Sequence, residues 1–484
     1  MGLLGILVGL AVLVWFAYRG WSVLLLAPIA AVIAAAFSAQ PLLAHWTQTF
    51  MGSAAGFIAQ FFPMFLLGAL FGKMMDDSGS VRAISQWMTE KLGVRHAILA
   101  VVLAGALVTF GGVSLFVAFF VIVPMAQTLF RAAGIPGRLI PAAVSLGTST
   151  FTMSALPGTP SIQNAIPMPF FGTTPFAAPG LGLIASAIML GFGLWWLGRQ
   201  AAAASKAGEG YGAAVDSDPK YAAADPLVRE RASTARDFDP AEIAHGGAAL
   251  ALPPIWQAAL PLVVVIATNV LMSLFILPRV DADFLAQPQW GETSLAGVGG
   301  VWSVIVALLA GIAMLLALSY RRLPSLRQTM DAGANASVLP VLAVASLVGF
   351  GAVVAALPAF AAVADWVLTI GGGPLVSLAV AVNILAALTG SASGGLTIAL
   401  DALGANFMEL AAAIGIAPEL LHRVAVISAG TLDSLPHNGA VVTLLAVCGM
   451  KHGDSYVDLA IVSIGGAMLA LIAVIALGTV FGGF

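Results

Sequence analysis

Residues 430–440 read GTLDSLPHNGA and lie inside an apolar region that runs from Arg423 to Cys448. A membrane-crossing helix needs roughly 20 apolar residues, so this region is long enough to cross. The Asp, Pro, His and Asn at its centre do not suit a continuous span. Pro436 removes a backbone donor and clashes with the preceding turn. Unwound backbone at membrane depth is tolerated only where protein buries it or where it lines a cavity. The stretch therefore predicts an interrupted membrane helix with a polar centre.

The rest of the chain fits a membrane setting. It has 484 residues, 60% hydrophobic and 8% charged, with a mean hydropathy of +1.02. Ordinary soluble domains carry about 25% charged residues. The expected class is an all-α polytopic membrane protein. The net charge of -3 leaves no basic surface for nucleic acid. The one cysteine, Cys448, excludes an intrachain disulfide and a Cys-based metal cluster. The apolar stretch from Met1 to Phe16 lacks a basic leader, so it reads as a retained first span.

Ten apolar segments predict spans at 2–18, 21–38, 55–72, 139–166, 180–197, 255–277, 299–319, 337–358, 422–449 and 459–481. Two more, 97–124 and 374–400, are broken by small residues near their middles. With the N-terminus outside, the Lys and Arg residues fall almost entirely on the cytoplasmic side, leaving only Arg279 and Arg423 outside. That split requires 97–124 and 374–400 each to enter and leave on one face, as re-entrant hairpins. On it, His422-Arg423 marks the outer membrane boundary, and no Lys or Arg lies deep in a span. Residues 78–95 suggest an interfacial helix, with a weaker counterpart at Phe360 to Ile370.

The two ends of the chain resemble each other. Pro63 in FFPMFLLGALFG matches Pro340 in VLPVLAVASLVG, Thr109 matches Thr389, Gly134 matches Gly415 and Pro157 matches Pro436, at near-constant separation. This predicts a first repeat over 1–197, a charged, Ala/Gly-rich cytoplasmic linker over 198–250 and a second repeat over 251–484. Each repeat would hold about five spans and one hairpin, and the odd number inverts the second. Inverted repeats with broken helices are the signature of a secondary transporter, and matching breaks point to its site.

There are four breaks, at 109–114, 147–164, 389–397 and 429–439. A lone Gly/Ser cluster more often serves close helix packing, but symmetry favours a shared site. The second break, GTSTFTMSALPGTPS over 147–161 followed by Gln163 and Asn164, offers hydroxyls and carbonyls to a cation. Free amides at the following helix start suit an anion. The fourth break holds Asp433, the only acidic residue placed deep in a span, and an intramembrane carboxylate is costly and usually functional. It can carry a coupling proton, ligate sodium or cap the helix that resumes after Pro436. His437 can titrate near neutral pH, bond a solute or serve structure. Asn438 can contact solute or satisfy broken backbone.

GTLDSLPHNGAVVTLLAVCGMKHGDSY, residues 430–456, and LGTSTFTMSALPGTPSIQNAIP, residues 146–167, resemble the GntP family of gluconate-type permeases. The order of elements is similar over nearly the whole chain. The resemblance implies a scaffold and a transport domain, uptake of a small carboxylate with protons, and a homodimer. It places Gly111, Gly112 and Ser114 at the inner hairpin tip and Ser391, Ser393 and Gly394 at the outer one. From the interrupted helices it brings Thr148, Ser149, Thr150, Ser154 and Thr159, and Thr431, Asp433, Ser434, His437 and Asn438. The Asp-Ser-Leu-Pro-His-Asn stretch is more similar to the branch associated with hydroxybutyrate-type monocarboxylates than to the gluconate branch. The Ser-Asn-Thr signature of sodium/dicarboxylate carriers is absent at the breaks.

The reading is a multi-pass symporter of the bacterial inner membrane, not an enzyme. It would import a hydroxy-monocarboxylate such as 3-hydroxybutyrate, or a gluconate-like sugar acid, by alternating access. It needs no cofactor beyond the proton gradient, with sodium as the alternative coupling ion. The rivals are a cation/proton antiporter, which would favour several carboxylates, and an intramembrane enzyme, for which Ser434 near His437 is the one candidate pair.

Overall fold

The computed structural model describes residues 1–19, 21–212, 251–323, 325–436 and 438–484. Helices and their connections account for the described residues, with no strand among them. Eight helices among them are long and apolar enough to cross a membrane.

The first half begins with α1 (Gly2–Tyr18), α2 (Val23–Phe37) and the long α3 (Leu42–Asp77). A short amphipathic helix, α4 (Ser80–Leu92), buries Val81, Ala83 and Ile84. At Gly93 the chain turns through 104° into α5 (Ala97–Phe110). A tight turn joins α5 to α6 (Leu115–Ala133). An interrupted helix follows as four short pieces: α7 (Ile140–Thr148), α8 (Phe151–Ser154), α9 (Ile162–Ala165) and α10 (Pro167–Phe171). The half ends in α11 (Pro179–Ala207).

The second half has α12 (Ile255–Arg279), α13 (Leu295–Arg322), α14 (Leu326–Ala336) and α15 (Val338–Ala356). The short α16 (Phe360–Leu368) leads to a second hairpin of α17 (Pro374–Thr389) and α18 (Ala392–Ala413). A second interrupted helix comprises α19 (Pro418–Ala429) and α20 (Gly439–Val447), and α21 (His452–Phe481) closes the chain. Both hairpins run further than the apolar runs predict, to Ala133 and Ala413.

Packing sorts the helices into two groups. In one, α2, α13, α14 and α15 pack around α3, with α1 on α2 and α12 on α13. In the other, both hairpins and both interrupted helices pack with α11 and α21. The groups meet where α15 lies on α18, α10 on α13 and α4 on α12. Each half of the chain supplies the second group with one hairpin and one interrupted helix. In the second hairpin the helices touch at backbone distance: a Cβ on Gly395 would lie 2.3 Å from the Ala386 nitrogen. Only glycine fits so close a crossing.

Two cations are enclosed by protein where the apolar pattern gave no sign of it. Arg423, expected at the outer membrane boundary, is 0% exposed. Its place at the edge of an apolar run gives no sign of the carbonyls that surround it. Lys73 is also buried, 2.8 Å from the equally buried Asp77, whose other oxygen accepts from Thr329 Oγ1 at 2.6 Å. Asp77 is thus an acid enclosed by protein, at the end of α3 and outside the interrupted helices. Residues 198–207 of the expected linker continue α11, and 213–250 lie outside the described residues.

At the end of α11 the chain folds back onto the start of the first interrupted helix. Arg138 pairs with Glu209 at 2.8 Å and with Asp458 of α21 at 2.6 Å, and Trp196 Nε1 donates to Asp458 at 3.0 Å. The Arg138 hydrogen bond holds the Glu209 carboxyl below its ordinary 4.5. A depressed folded value adds stability that is present above 4.5 and is lost as pH falls through the lower folded value. Glu209 is 38% exposed, so solvent screens most of this effect. Between about pH 5 and pH 3, the wild-type melting temperature is expected to fall roughly 1–2 °C further than that of Glu209→Gln. Parallel curves in detergent would show that the pair contributes nothing.

Candidate functional site

The four breaks meet around two adjoining cavities. The larger, about 160 Å³, lies between the helix groups. Gly112 and Ser114 of the first hairpin turn, Ser161 and Gln163 of the first break and Ser393 of the second hairpin face it, opposite Ser337. Gly112 makes the turn at φ +99°, a conformation that favours glycine. The smaller, about 30 Å³, lies between the two interrupted helices. Ser149, Ser154, Asp433, Ser434 and Asn438 line it, together with Ser145. Leu115, Met153 and Gln163 belong to both walls.

The remaining expected residues that the structure describes lie nearby but line neither cavity. Gly111 packs against Leu262, and Gly394 against Leu347. Thr148, Thr150 and Thr431 are buried and donate back to helix carbonyls four residues earlier, at 2.8, 2.7 and 2.8 Å. That is the usual bond for a helical threonine. Ser391 accepts from Gly394 N at 3.2 Å and caps α18. Thr159 is buried and its Oγ1 has no partner among the described residues. His437 lies outside the described residues.

The backbone freed at the breaks is satisfied by dedicated side chains. Met153 O accepts from Ser161 Oγ at 2.8 Å, and Thr159 O from Asn164 Nδ2 at 3.0 Å. Gly158 adopts φ +80° and stands against the Phe176 ring, its carbonyl accepting from Asn269 of α12 at 2.9 Å. At the other break, Asn438 caps α20 through Ala440 N at 2.7 Å and donates to Gly390 O at 3.0 Å. It thereby ties the second hairpin turn to the interrupted helix. From α21, Tyr456 donates to Ser434 O at 3.1 Å and His452 Nε2 lies 2.7 Å from Pro436 O. Ser434 Oγ donates to Asp433 Oδ1 at 3.1 Å.

Comparison with known proteins places this architecture. Residues 1–168 match the family model described as GntP family permease. A Bacillus subtilis (strain 168) protein, the uncharacterized transporter YxjC, is 39% identical over 486 residues, covering 99% of each chain. The chain belongs to the GntP permease family. Its fold is similar to two solved structures. The Alcanivorax borkumensis YdaH transporter gives a TM-score of 0.56 at 18% identity, over 91% of this chain and 90% of that one. Neisseria gonorrhoeae MtrF, placed in a class of antimetabolite efflux pumps, gives 0.53 at 15% identity, over 92% and 86%. The chain is therefore a multi-pass membrane transporter.

In this GntP permease the two interrupted helices are braced by neighbours in sequence, His422 and Arg423 on α19. Arg423 Nη1 donates to Ala155 O at 3.1 Å, and Nε and Nη2 both reach Ala177 O, at 3.1 and 2.6 Å. A Cβ on Gly182 would stand 2.6 Å from Ala155 O and 3.3 Å from Arg423 Nε, so the carbonyl and the guanidinium leave no room for a side chain there. His422 lies 2.6 Å from Thr173 Oγ1 and 3.2 Å from Asn164 Oδ1. Sequence reading took this pair for a membrane boundary and not for a brace, and it left Gln163 without a role. Gln163 was visible as a polar residue within the second break, but nothing in the pattern distinguished it from Asn164, whose amide is fully used.

The Arg423 brace has a measurable consequence. Hydrogen bonds to a charged donor contribute about 1.5–3 kcal/mol, and an orphaned buried carbonyl costs a similar amount. Arg423→Met is expected to destabilise the detergent-solubilised protein by about 2 kcal/mol or more. Arg423→Lys is expected to recover little, since an ammonium cannot serve two carbonyls through a planar fork. A lysine variant that melts like wild type would show that charge alone matters.

Proposed function

We propose that this permease is a proton-coupled symporter that imports a small hydroxy-monocarboxylate by alternating access. The observation that carries this reading is the convergence of two hairpin turns and two interrupted helices on adjoining cavities, with Asp433 in the wall of the smaller one. The group holding these four breaks acts as the transport domain. The group around α3 acts as the scaffold, and a homodimer in the bacterial inner membrane is its working form. The two halves are inverted repeats, with the first hairpin entering from the cytoplasm and the second from outside.

The size of the cavity favours a short solute. A cavity of about 150 Å³ accommodates a benzene-sized molecule, and the larger cavity here is about 160 Å³. This suits a four-carbon hydroxy acid better than a six-carbon sugar acid. Hydroxyls and backbone amides at the helix starts supply neutral donors for the carboxylate. Ser114, Ser393, Ser149, Ser154, Ser434 and Asn438 are the residues assigned to solute binding. Asp433 is assigned the proton, with Ser434 as its hydrogen-bond donor.

The test is uptake of labelled 3-hydroxybutyrate into proteoliposomes. One coupled proton and a gradient of one pH unit support about tenfold accumulation, since ~1.4 kcal/mol is a tenfold ratio. Asp433→Asn is expected to abolish accumulation while leaving downhill exchange measurable. Undiminished accumulation by the mutant would remove Asp433 from the coupling role. Accumulation that follows a sodium gradient would overturn proton coupling.

A further inference from the structure

The first helix, α1, has two faces with different surroundings. Gly9 and Leu13 press on α2 and its neighbours: a Cβ on Gly9 would stand 2.7 Å from Ala30 O, and Leu13 is fully enclosed. Leu7, Leu10, Ala11, Val14 and Trp15 recur at the spacing of a single helix face. With Arg19, and with Leu388 of α17 opposite, they wall an apolar groove of about 730 Å³. Leu7 and Trp15 are more than half exposed there. The groove lies on the seam between the two helix groups. Its α1 wall packs with α2, whereas Leu388 stands just before the second hairpin turn. That turn is tied to the site, since Gly390 O accepts from Asn438 Nδ2 at 3.0 Å.

Length and charge restrict what fills the groove. At 1.5 Å per residue, the stretch from Leu7 to Arg19 covers about 18 Å along the helix axis. One leaflet of a 30 Å hydrocarbon core is roughly 15 Å deep. The groove therefore matches one acyl chain running from mid-membrane to the headgroup level. Trp15 marks that level, where indoles concentrate. The Arg19 guanidinium lies over the Trp15 ring, 4.8 Å from its centroid. Stacking occupies the flat face of a guanidinium and leaves its in-plane N–H donors for a phosphate. None of the residues lining the groove is acidic. On the expected orientation the end of α1 faces the cytoplasm, and the cytoplasmic leaflet carries the anionic lipid. Any lipid chain can enter an apolar groove at this depth, so it is Arg19 that makes this one selective.

We propose that this groove binds one anionic phospholipid of the cytoplasmic leaflet, its phosphate on Arg19 and an acyl chain along α1 against Leu388. The lipid thereby fills the seam between the two helix groups beside the second hairpin turn. The choice of leaflet rests on the orientation proposed above; the binding does not, and it is independent of what the permease carries.

The test measures lipid affinity of the full-length, detergent-solubilised protein by native mass spectrometry. Phosphatidylglycerol and phosphatidylethanolamine of matched chains are titrated, with glycerol phosphate as the headgroup alone. Wild type is expected to hold phosphatidylglycerol at least about fivefold more tightly than phosphatidylethanolamine, the ratio expected of one arginine at an anionic surface. Arg19→Gln is expected to bring the two within about twofold, and Arg19→Lys to keep most of the preference. Ala11→Phe fills the groove from an exposed position and is expected to weaken both lipids at least about fivefold without changing their ratio. A wild type without preference, or a preference that survives Arg19→Gln, would overturn the proposal. Unchanged affinity in Ala11→Phe would place the lipid elsewhere and overturn it too. Glycerol phosphate binding as tightly as the phospholipid would make this a site for free phosphate. Loss of a dimer in Ala11→Phe would show a second copy of the chain in the groove in place of lipid. Failure of carboxylate uptake would bear on the transport reading alone and leave these affinities as predicted.

Discussion

The Arg423 guanidinium, enclosed on all sides and bonded to the carbonyls of Ala155 and Ala177, is the interaction on which the site depends. A helix that stops inside an apolar medium leaves polar backbone without water to bind it. The break after α8 is tolerable because a side chain from the other interrupted helix supplies the missing donors. His422, Asn164 and Asn438 extend the same solution to the neighbouring loops and to the second hairpin. These bonds hold the cavity-lining serines and Gln163 in place without filling the cavities themselves.

The two helix groups meet differently from the way each is packed internally. Apolar side chain packs against helix where Gly300 of α13 admits Met168 of α10. One identified polar bond joins them near the site, from Asn269 to the Gly158 carbonyl. A typical hydrogen bond adds only about 0.5–1.5 kcal/mol net. Parting it is a modest cost, whereas breaking the Arg423 brace within the second group is a large one. This difference suits a unit that moves whole against a fixed partner.

Much of this was legible in the sequence. The breaks at 147–164 and 429–439 announced themselves, because proline and clustered hydroxyls cannot pass unnoticed in an apolar run. The glycine turns of both hairpins were equally plain. Asp433 stood out because carboxylates are rare at such depth, and it does line a cavity. Arg423 was illegible for a physical reason: at the end of an apolar run, one-dimensional pattern favours the membrane edge. Its partners, Ala155 and Ala177, contribute backbone carbonyls, which no sequence displays. The burial of Lys73 was hidden likewise, since the Asp77 that pairs with it one turn on is itself covered by Thr329 from a separate helix. All four of Thr148, Ser149, Thr150 and Ser154 bond back to carbonyls four residues earlier, and sequence could not show that only Ser149 and Ser154 among them also line a cavity.

The central claim is that the four breaks form one site exposed alternately to the two faces of the membrane. The chain's single cysteine, Cys448, is buried and can be replaced by alanine to give a clean background. Ser393→Cys then places one thiol in the wall of the larger cavity. The most direct measurement is its modification by a membrane-impermeant maleimide, added to right-side-out and to inverted vesicles. Alternating access predicts labelling from both faces, slowed from both by 3-hydroxybutyrate. Labelling confined to one face under every gradient and solute condition would contradict it.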